Sequence, residues 1–270
     1  GSCGLLAVAG FLALDSETTV EAKKLKFEMN DCVYCAHDSA ADRARNAKPP
    51  GTPGGGPGGG GGGGGKKASC SKTFAKWKNI FQLNVHINGH NGPEIAGVML
   101  SGAQFKAYVM LSFDEWACHS GLGEDIVINY VASAAAADIT VKWANLGTGG
   151  ILGQAATGYT RAGKSIVFSN ITMNNVIPGT LGPPPATDAG CAIEAGNGVA
   201  PPNEFDLLSV MFHEVGHALG IDHSNRFCDP DGDCYEESMH PCTDVLEFMR
   251  RAANPGDRAA IEKNYGPDGP

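Results

Sequence analysis

The sequence predicts a mixed α/β or α+β fold, in which five short strands and one long helix form a layered domain. Three observations support this prediction. Five short segments have the alternating or β-branched patterns of strands, a long helical pattern follows the first of them, and a second helical pattern follows the last. The hydrophobic content of 42% in 270 residues is that of a globular protein.

The first half of the fold is predicted from periodicity. Residues 80–87 alternate as a strand, and an apolar pattern of helical period covers 92–121, ending at Gly121. Four further strands are predicted at 125–131, 137–144, 150–155 and 164–169. Strands interleaved with one long helix indicate a mixed layered domain.

The second helix is predicted at 203–220, "NEFDLLSVMFHEVGHALG", after a long Pro- and Gly-rich loop. Asn203 is the expected N-cap, with Asp206 three residues later, and Gly220 is the expected stop. At 100° per residue, the apolar side chains of this helix form one stripe, and the face opposite is expected to open on a cleft.

Composition divides the chain into three parts. Residues 49–69 are a Gly- and Pro-rich linker, which separates an N-terminal segment, 1–48, from a body at 70–270. We expect little independent structure in 1–48. Its apolar stretch 3–14 predicts either the remnant of a secretory signal, with a short pro-like region after it, or a short buried helix.

Charge and cysteine content restrict the class of protein. A net charge of −9 argues against a nucleic-acid partner, and no apolar run has the length of a membrane span. Nine scattered cysteines favour disulfide bonds and an oxidising, extracellular compartment, with reduced cytosolic thiols as the alternative. Because nine is odd, at least one thiol is left over if the others pair within the chain.

A cluster of histidines lies in "HEVGHALGIDHS", residues 213–224. His213 and His217 are four residues apart and share one face of the predicted helix. Gly220 lets the chain turn sharply, so that His223 returns as a third ligand. Three neutral imidazoles and one open position make a catalytic zinc site. Glu214 is then free to accept a proton from the zinc-bound water. A set of solvated surface histidines is the alternative.

The spacing HExxHxxGxxH in these residues resembles the zinc-binding signature of metzincin metallopeptidases. "ESMHP", 237–241, resembles their Met-turn, with Met239 as the methionine beneath the metal. Ser224 and the "ALGIDHS" context are similar to the matrixins, the matrix-metalloproteinase group. "GDRAAIEKNYG", 256–266, is similar to the closing helix of that domain, and the weaker resemblance covers 75–266.

The resemblance implies an α+β, zincin-like fold. In it a twisted, mixed sheet of five strands packs with three helices, one of which is the active-site helix, and a Met-turn lies below that helix. It also implies a secreted, zinc-dependent endopeptidase that cuts extended protein or peptide substrates through a zinc-activated water. One catalytic zinc is expected, in a monomer that acts in the extracellular matrix. The segment "GILGQA" would be the upper rim that pairs with substrate, through Ile151, Leu152, Gly153, Gln154 and Ala155.

Three departures from the family are visible. Gln154 and Val167 stand where matrixins place histidines for a second, structural zinc, so we expect that zinc to be missing. Cys3-Gly4 lacks the flanking residues of the matrixin cysteine switch, so the sequence does not support that device. The stretch from His223 to Met239 is longer than usual and contains three alternating acidic residues, Asp229, Asp231 and Asp233. They indicate either a calcium loop or a solvated acidic turn.

Two other functions remain open on the sequence alone. One is a non-catalytic extracellular binding module that keeps zinc for stability, which the presence of Glu214 disfavours. The other is a metzincin of another branch, with a different substrate preference.

Overall fold

Seven strands of the main sheet lie side by side in the order Cys242–Thr243, Leu25–Tyr34, Ile151–Thr160, Ser165–Asn174, Ile139–Ala144, Gln82–Ile87 and Val127–Tyr130. An eighth, Lys76–Trp77, pairs with Ser165–Asn174. The computed structural model describes residues 25–34, 72–80, 82–89, 94–95, 98–99, 101–119, 127–148, 150–162, 164–176, 179–180, 187–188, 192–193, 205–224, 238–240, 242–243, 253 and 255–266. The strands of the main sheet are β1 (Leu25–Tyr34), β2 (Lys76–Trp77), β3 (Gln82–Ile87), β6 (Val127–Tyr130), β7 (Ile139–Ala144), β8 (Ile151–Thr160), β9 (Ser165–Asn174) and β14 (Cys242–Thr243).

The short remaining strands form three two-stranded sheets. They are β4 (Glu94–Ile95) with β5 (Val98–Met99), β10 (Gly179–Thr180) with β13 (Phe205–Asp206), and β11 (Thr187–Asp188) with β12 (Ala192–Ile193). The described α-helices are α1 (Gly102–His119), α2 (Leu207–Ala218) and α3 (Pro255–Tyr265). None of them combines the length and hydropathy that crossing a bilayer requires.

The predicted α+β class is confirmed, and the sheet is mixed. Strands β6, β3, β7 and β9 run parallel to one another, whereas β8 is antiparallel to β9. All five predicted strands are present, but β8 and β9 are ten residues each and extend well past the predicted ends. The predicted count of five strands is too low, because β1, β2 and β14 also join the sheet.

The helix boundaries differ from the prediction in two places. Helix α1 starts at Gly102 rather than at 92, because Glu94–Met99 form a small antiparallel pair before it. Helix α2 starts at Leu207, and its N-cap is Asp206, whose carboxylate accepts a hydrogen bond from Ser209 N at 3.1 Å. The predicted cap, Asn203, lies outside the described residues.

One strand of the sheet comes from the N-terminal segment. Strand β1 is antiparallel to β8, with Asn30 opposite Ala155 and Lys26 opposite Tyr159. Strand β1 does not form a sheet of its own. It joins the main sheet, whose other strands come from the body of the chain. Sequence analysis did not predict this strand.

The hydrophobic core lies between the sheet and the helices. Buried residues of β3, β7 and β9 face buried aromatic residues of α1, and Trp116 stacks on Phe212 of α2 with ring centroids 4.6 Å apart. The Trp116 indole also donates to the carbonyl of Phe212 at 2.8 Å. This contact fixes α2 beneath the sheet, with β8 on one side and α1 on the other.

Candidate metal centre and active site

Three histidine side chains converge at the C-terminal half of α2 and just beyond it. The Nε2 atoms of His213 and His217 lie 2.9 Å apart, and the Nε2 atom of His223 lies 3.2 Å from each of them. Within the part of the chain that the structure describes, these three residues are the group able to hold a metal ion. His213 and His217 are buried, and His223 is half-buried.

Backbone carbonyls fix the tautomers of the two helical histidines. His213 Nδ1 lies 2.7 Å from the carbonyl of Ser238, and His217 Nδ1 lies 2.7 Å from the carbonyl of Ile221. A carbonyl only accepts, so each Nδ1 carries the proton and each Nε2 presents a lone pair. This arrangement, in which the second ring nitrogen is held by a carbonyl, is typical of metal-ligating histidines.

The donor set fits zinc. Tetrahedral zinc at about 2.0–2.1 Å from nitrogen places its ligand atoms roughly 3.3 Å apart. The observed separations of 2.9 and 3.2 Å are close to that value. Desolvation by burial, with a contribution from nearby His223, holds the pKa of His217 well below its ordinary value. The imidazole is therefore neutral at physiological pH, which is the form that binds a metal.

Glu214 is fully buried beside His213, directly under β8. A Cβ added to Gly153 would lie 2.8 Å from Glu214 Oε1 and 2.9 Å from its Cγ. The backbone of β8 therefore rests on the Glu214 side chain, and a larger residue at position 153 would displace the carboxylate. This contact places the predicted rim strand and the predicted proton acceptor side by side.

The turn at Ser238–Met239 closes the site from below. Met239 is fully buried, and a Cβ added to Gly216 would overlap its Sδ and lie 2.8 Å from Trp116 Cζ2. A glycine in the middle of α2 is thus required by the close approach of Met239. The same turn supplies the Ser238 carbonyl that orients His213. Met239 therefore lies where the predicted Met-turn should lie.

Asp257 holds this turn, and sequence analysis missed it. The buried carboxylate accepts hydrogen bonds from Ser238 N at 2.7 Å and from Met239 N at 3.4 Å. From sequence, an acidic residue in the first turn of a helix is explained by the helix dipole alone. No pattern near Asp257 indicates a partner 18 residues upstream.

Side chains from distant elements cap the C-terminus of α2. The Trp77 indole donates to the carbonyl of Ala218 at 2.9 Å, and the Tyr265 hydroxyl donates to that of Leu219 at 2.7 Å. Gly220 then turns the chain with φ of 87°, as predicted for the helix stop. These bonds satisfy carbonyls that a helix end leaves open and fix the direction in which the chain leaves toward His223.

Solvent exposure along α2 is low, including on the face that we expected to open on a cleft. Every residue from Leu207 to Ala218 is buried. The apolar stripe faces the core, as expected, while β8 packs on Glu214 and Val210 and the turn at Met239 packs on Gly216. A metal ligand needs little solvent exposure, since a small open volume at the Nε2 atoms is sufficient.

The other predicted site residues have mixed outcomes. Leu152, Gly153 and Ala155 of the rim segment are buried, and Ile151 and Gln154 are half-buried. The ladder places Gln154 opposite Thr172, whereas Val167 lies at the far end of β9, so these two positions do not face each other. Asp229, Asp231 and Asp233 lie outside the described residues, and nothing in the structure supports calcium.

A helix with two histidines one turn apart, a third histidine after a glycine turn, and a buried methionine turn below define a metallopeptidase of the zincin type. The family model for matrixins matches residues 66–266. The chain therefore belongs to the matrixin family, whose members are zinc metallopeptidases. No curated protein matches the sequence.

Proposed function

We propose that this protein is a secreted zinc endopeptidase that hydrolyses peptide bonds of extended protein substrates. The observation that carries the proposal is the convergence of three Nε2 lone pairs beside a buried glutamate, directly under strand β8. Each part has a separate role in hydrolysis, and backbone carbonyls orient the two helical histidines.

The histidines hold the metal, and Glu214 moves the proton. Bound zinc supplies Lewis-acid chemistry, since it polarises a carbonyl and makes water more acidic. Glu214 takes one proton from the attacking water and delivers it to the leaving amine nitrogen. One C–N bond breaks, and the water oxygen remains on the new carboxylate. Met239 supports the histidines from below without taking part in proton transfer.

Substrate binding is assigned to β8. Its segment Ile151–Ala155 lies beside Glu214 and pairs with β1 on one edge, so an extended peptide that took the place of β1 would be bound through main-chain hydrogen bonds. This mode of binding depends little on side chains. The subsite preference is therefore expected to arise elsewhere in the cleft.

The domain division and the compartment are part of the same proposal. Residues 70–270 form the catalytic part and 49–69 the linker, and the N-terminal segment contributes β1 to the sheet. The scattered cysteines would pair as disulfides in an extracellular compartment. The protein is proposed to act as a monomer with one zinc.

Glu214→Ala in the full chain tests the mechanism. The variant should bind zinc like the wild type and lose at least a hundredfold in hydrolysis of a denatured-protein or peptide library. Glu214→Gln, which preserves the packing against Gly153, should lose as much. Glu262→Ala on the exposed face of α3 is the matched control and should leave the rate unchanged. A chelator should abolish the wild-type rate.

Two results would decide against the proposal. Retained hydrolysis in Glu214→Gln would refute the role of the carboxylate. A zinc-loaded wild type that cuts nothing in the library, yet unfolds at lower temperature when zinc is removed, would favour a non-catalytic, zinc-stabilised module. A metzincin of another branch would also cut the library, but it would select peptide bonds next to residues other than those that matrixins select.

A further inference from the structure

One N-x-S/T sequence occurs in the chain, Asn170-Ile171-Thr172, and it lies within β9. In secreted proteins this sequence is the acceptor of N-linked glycans, usually in a surface loop. A strand can serve only if its asparagine points to solvent. We propose that Asn170 carries an N-linked oligosaccharide, which covers exposed apolar residues on the face of the sheet away from the helices; this inference rests on the secretion that is part of the proposed function.

Asn170 points away from the metal centre. Ser169 and Ile171 are buried, whereas Asn170 between them is half-buried. The Ser169 hydroxyl is hydrogen-bonded to Thr157 Oγ1 at 2.8 Å, and Thr157 Oγ1 donates to the carbonyl of His217 at 3.5 Å. Successive side chains of a strand point to opposite faces of the sheet. Asn170 therefore lies on the outer face, which is the face away from the histidines.

A hydrogen bond orients the Asn170 amide. Thr140 of β7, the ladder partner of Asn170, donates its hydroxyl to Oδ1 at 2.6 Å. Because the amide is planar, its Nδ2 points away from β7 and toward Ala156, the partner in β8. An N-linked sugar replaces one hydrogen of Nδ2 and leaves Oδ1 as an acceptor. The bond from Thr140 is therefore compatible with the modification.

Small residues leave a shallow trough next to Nδ2. Two adjacent rows of ladder partners cross β9, β8 and β1 on the outer face: Asn170–Ala156–Met29 and Phe168–Gly158–Phe27. The middle residue of each row is the smallest, so β8 forms the floor of a trough about 10 Å wide, which is two strand spacings. A Cβ added to Gly158 would lie 2.5 Å from Phe168 Cε1, so the phenyl ring lies across the floor of its own row. In the row of Asn170 the floor is only the methyl group of Ala156.

The large apolar side chains of this trough are exposed. Phe27 is 61% and Met29 is 62% exposed, and the Phe27 and Phe168 rings lie 5.9 Å apart between centroids. Neighbouring exposed apolar side chains favour a surface that is covered by another group. A sugar ring presents C–H groups on its faces and hydroxyls at its edge, so it can cover such side chains and remain solvated. The acceptor nitrogen of Asn170 lies in the adjacent row, which makes the tethered oligosaccharide the occupant that fits best.

The modification forms one bond, between Asn170 Nδ2 and the anomeric carbon of the first sugar. The donor is an oligosaccharide joined through that carbon to a polyisoprenyl pyrophosphate, and the transferase of the secretory pathway catalyses the transfer. The anomeric C–O bond breaks, the lipid pyrophosphate leaves, and Nδ2 loses one proton. Thr172 supplies the hydroxyl that the acceptor sequence requires. Because Asn170 points away from the histidines, the glycan should leave zinc binding and hydrolysis unchanged.

Two substitutions of Thr172 in the full chain test the acceptor. A cleavable leader carries each chain into the secretory pathway of a eukaryotic cell, and mass spectrometry of the peptide that contains Asn170 measures glycan occupancy. The wild type should be glycosylated at Asn170. Thr172→Val keeps the size and β-branching of the side chain but lacks the hydroxyl, so it should carry no glycan. Thr172→Ser, the matched control, keeps the hydroxyl and should remain glycosylated. A secreted wild type with unmodified Asn170 would overturn the inference.

Oxidation of methionines by dilute hydrogen peroxide tests whether the glycan covers the trough. Met29 lies in the trough, whereas Met110 of α1 is 38% exposed and serves as an internal control. Met29 should oxidise at least about threefold faster in Thr172→Val than in the glycosylated wild type, and the rate of Met110 should be the same in both. Thr172→Ser should resemble the wild type. Equal rates for Met29 in Thr172→Val and the wild type would show that the glycan leaves the trough open and would refute the covering.

Hydrolysis measured on the same preparations separates this inference from the proposed function. The kcat/KM of Thr172→Val for a peptide library should lie within about twofold of the wild-type value, because the substitution is on the outer face. A chain that is glycosylated at Asn170 but hydrolyses no peptide would support the glycan site and count against the endopeptidase. A chain that hydrolyses peptides with Asn170 unmodified would do the reverse.

Discussion

Gly216→Ala should destabilise the protein, although alanine is the better helix former. The change from glycine to alanine within a helix contributes up to about 1 kcal/mol of stability. The added methyl would, however, overlap Met239 Sδ and lie 2.8 Å from Trp116 Cζ2. Overpacking of this kind costs about 1–3 kcal/mol. Where in that range the cost falls depends on how easily Met239 and Trp116 can move away from the added methyl group.

Neither neighbour can move easily. The Trp116 indole is stacked on Phe212 and donates to its carbonyl at 2.8 Å. Met239 is flexible as a side chain, but its turn is held by Asp257 through two backbone N–H groups. The cost should therefore lie toward the upper part of the range, and the free energy of unfolding should fall by about 1–2 kcal/mol. For a domain of this size that lowers Tm by roughly 2–8 °C.

Calorimetry of the zinc-loaded protein measures this change, and a double-mutant cycle with Met239→Ala provides the control. Met239→Ala alone leaves a cavity and should cost about 2–5 kcal/mol. In the double variant the new methyl projects into that cavity, so the summed single losses should exceed the double loss by about 1 kcal/mol or more. A gain in stability for Gly216→Ala alone would show that helix propensity governs this position and would refute the packing argument.

Three further predictions concern the supports of the metal centre and the metal content. Asp257→Asn keeps one accepting oxygen and replaces the other with an amide nitrogen, which donates and cannot accept. The free energy of unfolding in urea should therefore fall by about 1–3 kcal/mol, and zinc should bind more weakly. A stable variant with unchanged zinc affinity would contradict this role. Asp206→Ala removes the N-cap of α2 and should lower the urea-derived free energy of unfolding by about 1 kcal/mol without changing zinc stoichiometry. Total zinc by mass spectrometry should be near one per chain; a value near two would refute the predicted loss of the second zinc.

Local sequence patterns predicted the features that depend only on residues close together in the chain. The i, i+4 histidines, Gly220 and His223 depend on helix geometry and one turn, and the structure brings their side chains together. Strands β3, β6, β7, β8 and β9 follow from alternating or β-branched patterns. Boundaries were less well predicted, since α2 starts after the Asp206 carboxylate, whereas Asn203 was the expected cap.

Contacts between residues distant in sequence could not be predicted. Gly216 is explained only by Met239, and Asp257 only by Ser238. Strand β1 is the largest case. Leu25–Asn30 alternate between apolar and polar residues, which is a strand pattern, but Phe27 and Met29 are exposed and Asn30 is buried. Hydrophobic burial would have predicted the opposite face inward, so the pattern does not indicate how this segment joins the sheet.

The long stretch between His223 and Met239 need not disturb the metal centre, because its two ends are joined at their base. Ser224 N donates to the carbonyl of Met239 at 2.8 Å, and Asp222 N donates to that of Lys72 at 2.7 Å. The third ligand is thus held by backbone bonds on both sides before the stretch begins. Each doubling of a loop's length costs only about 0.6 kcal/mol in closure entropy. Extra residues can therefore be accommodated here while the ligand geometry stays the same.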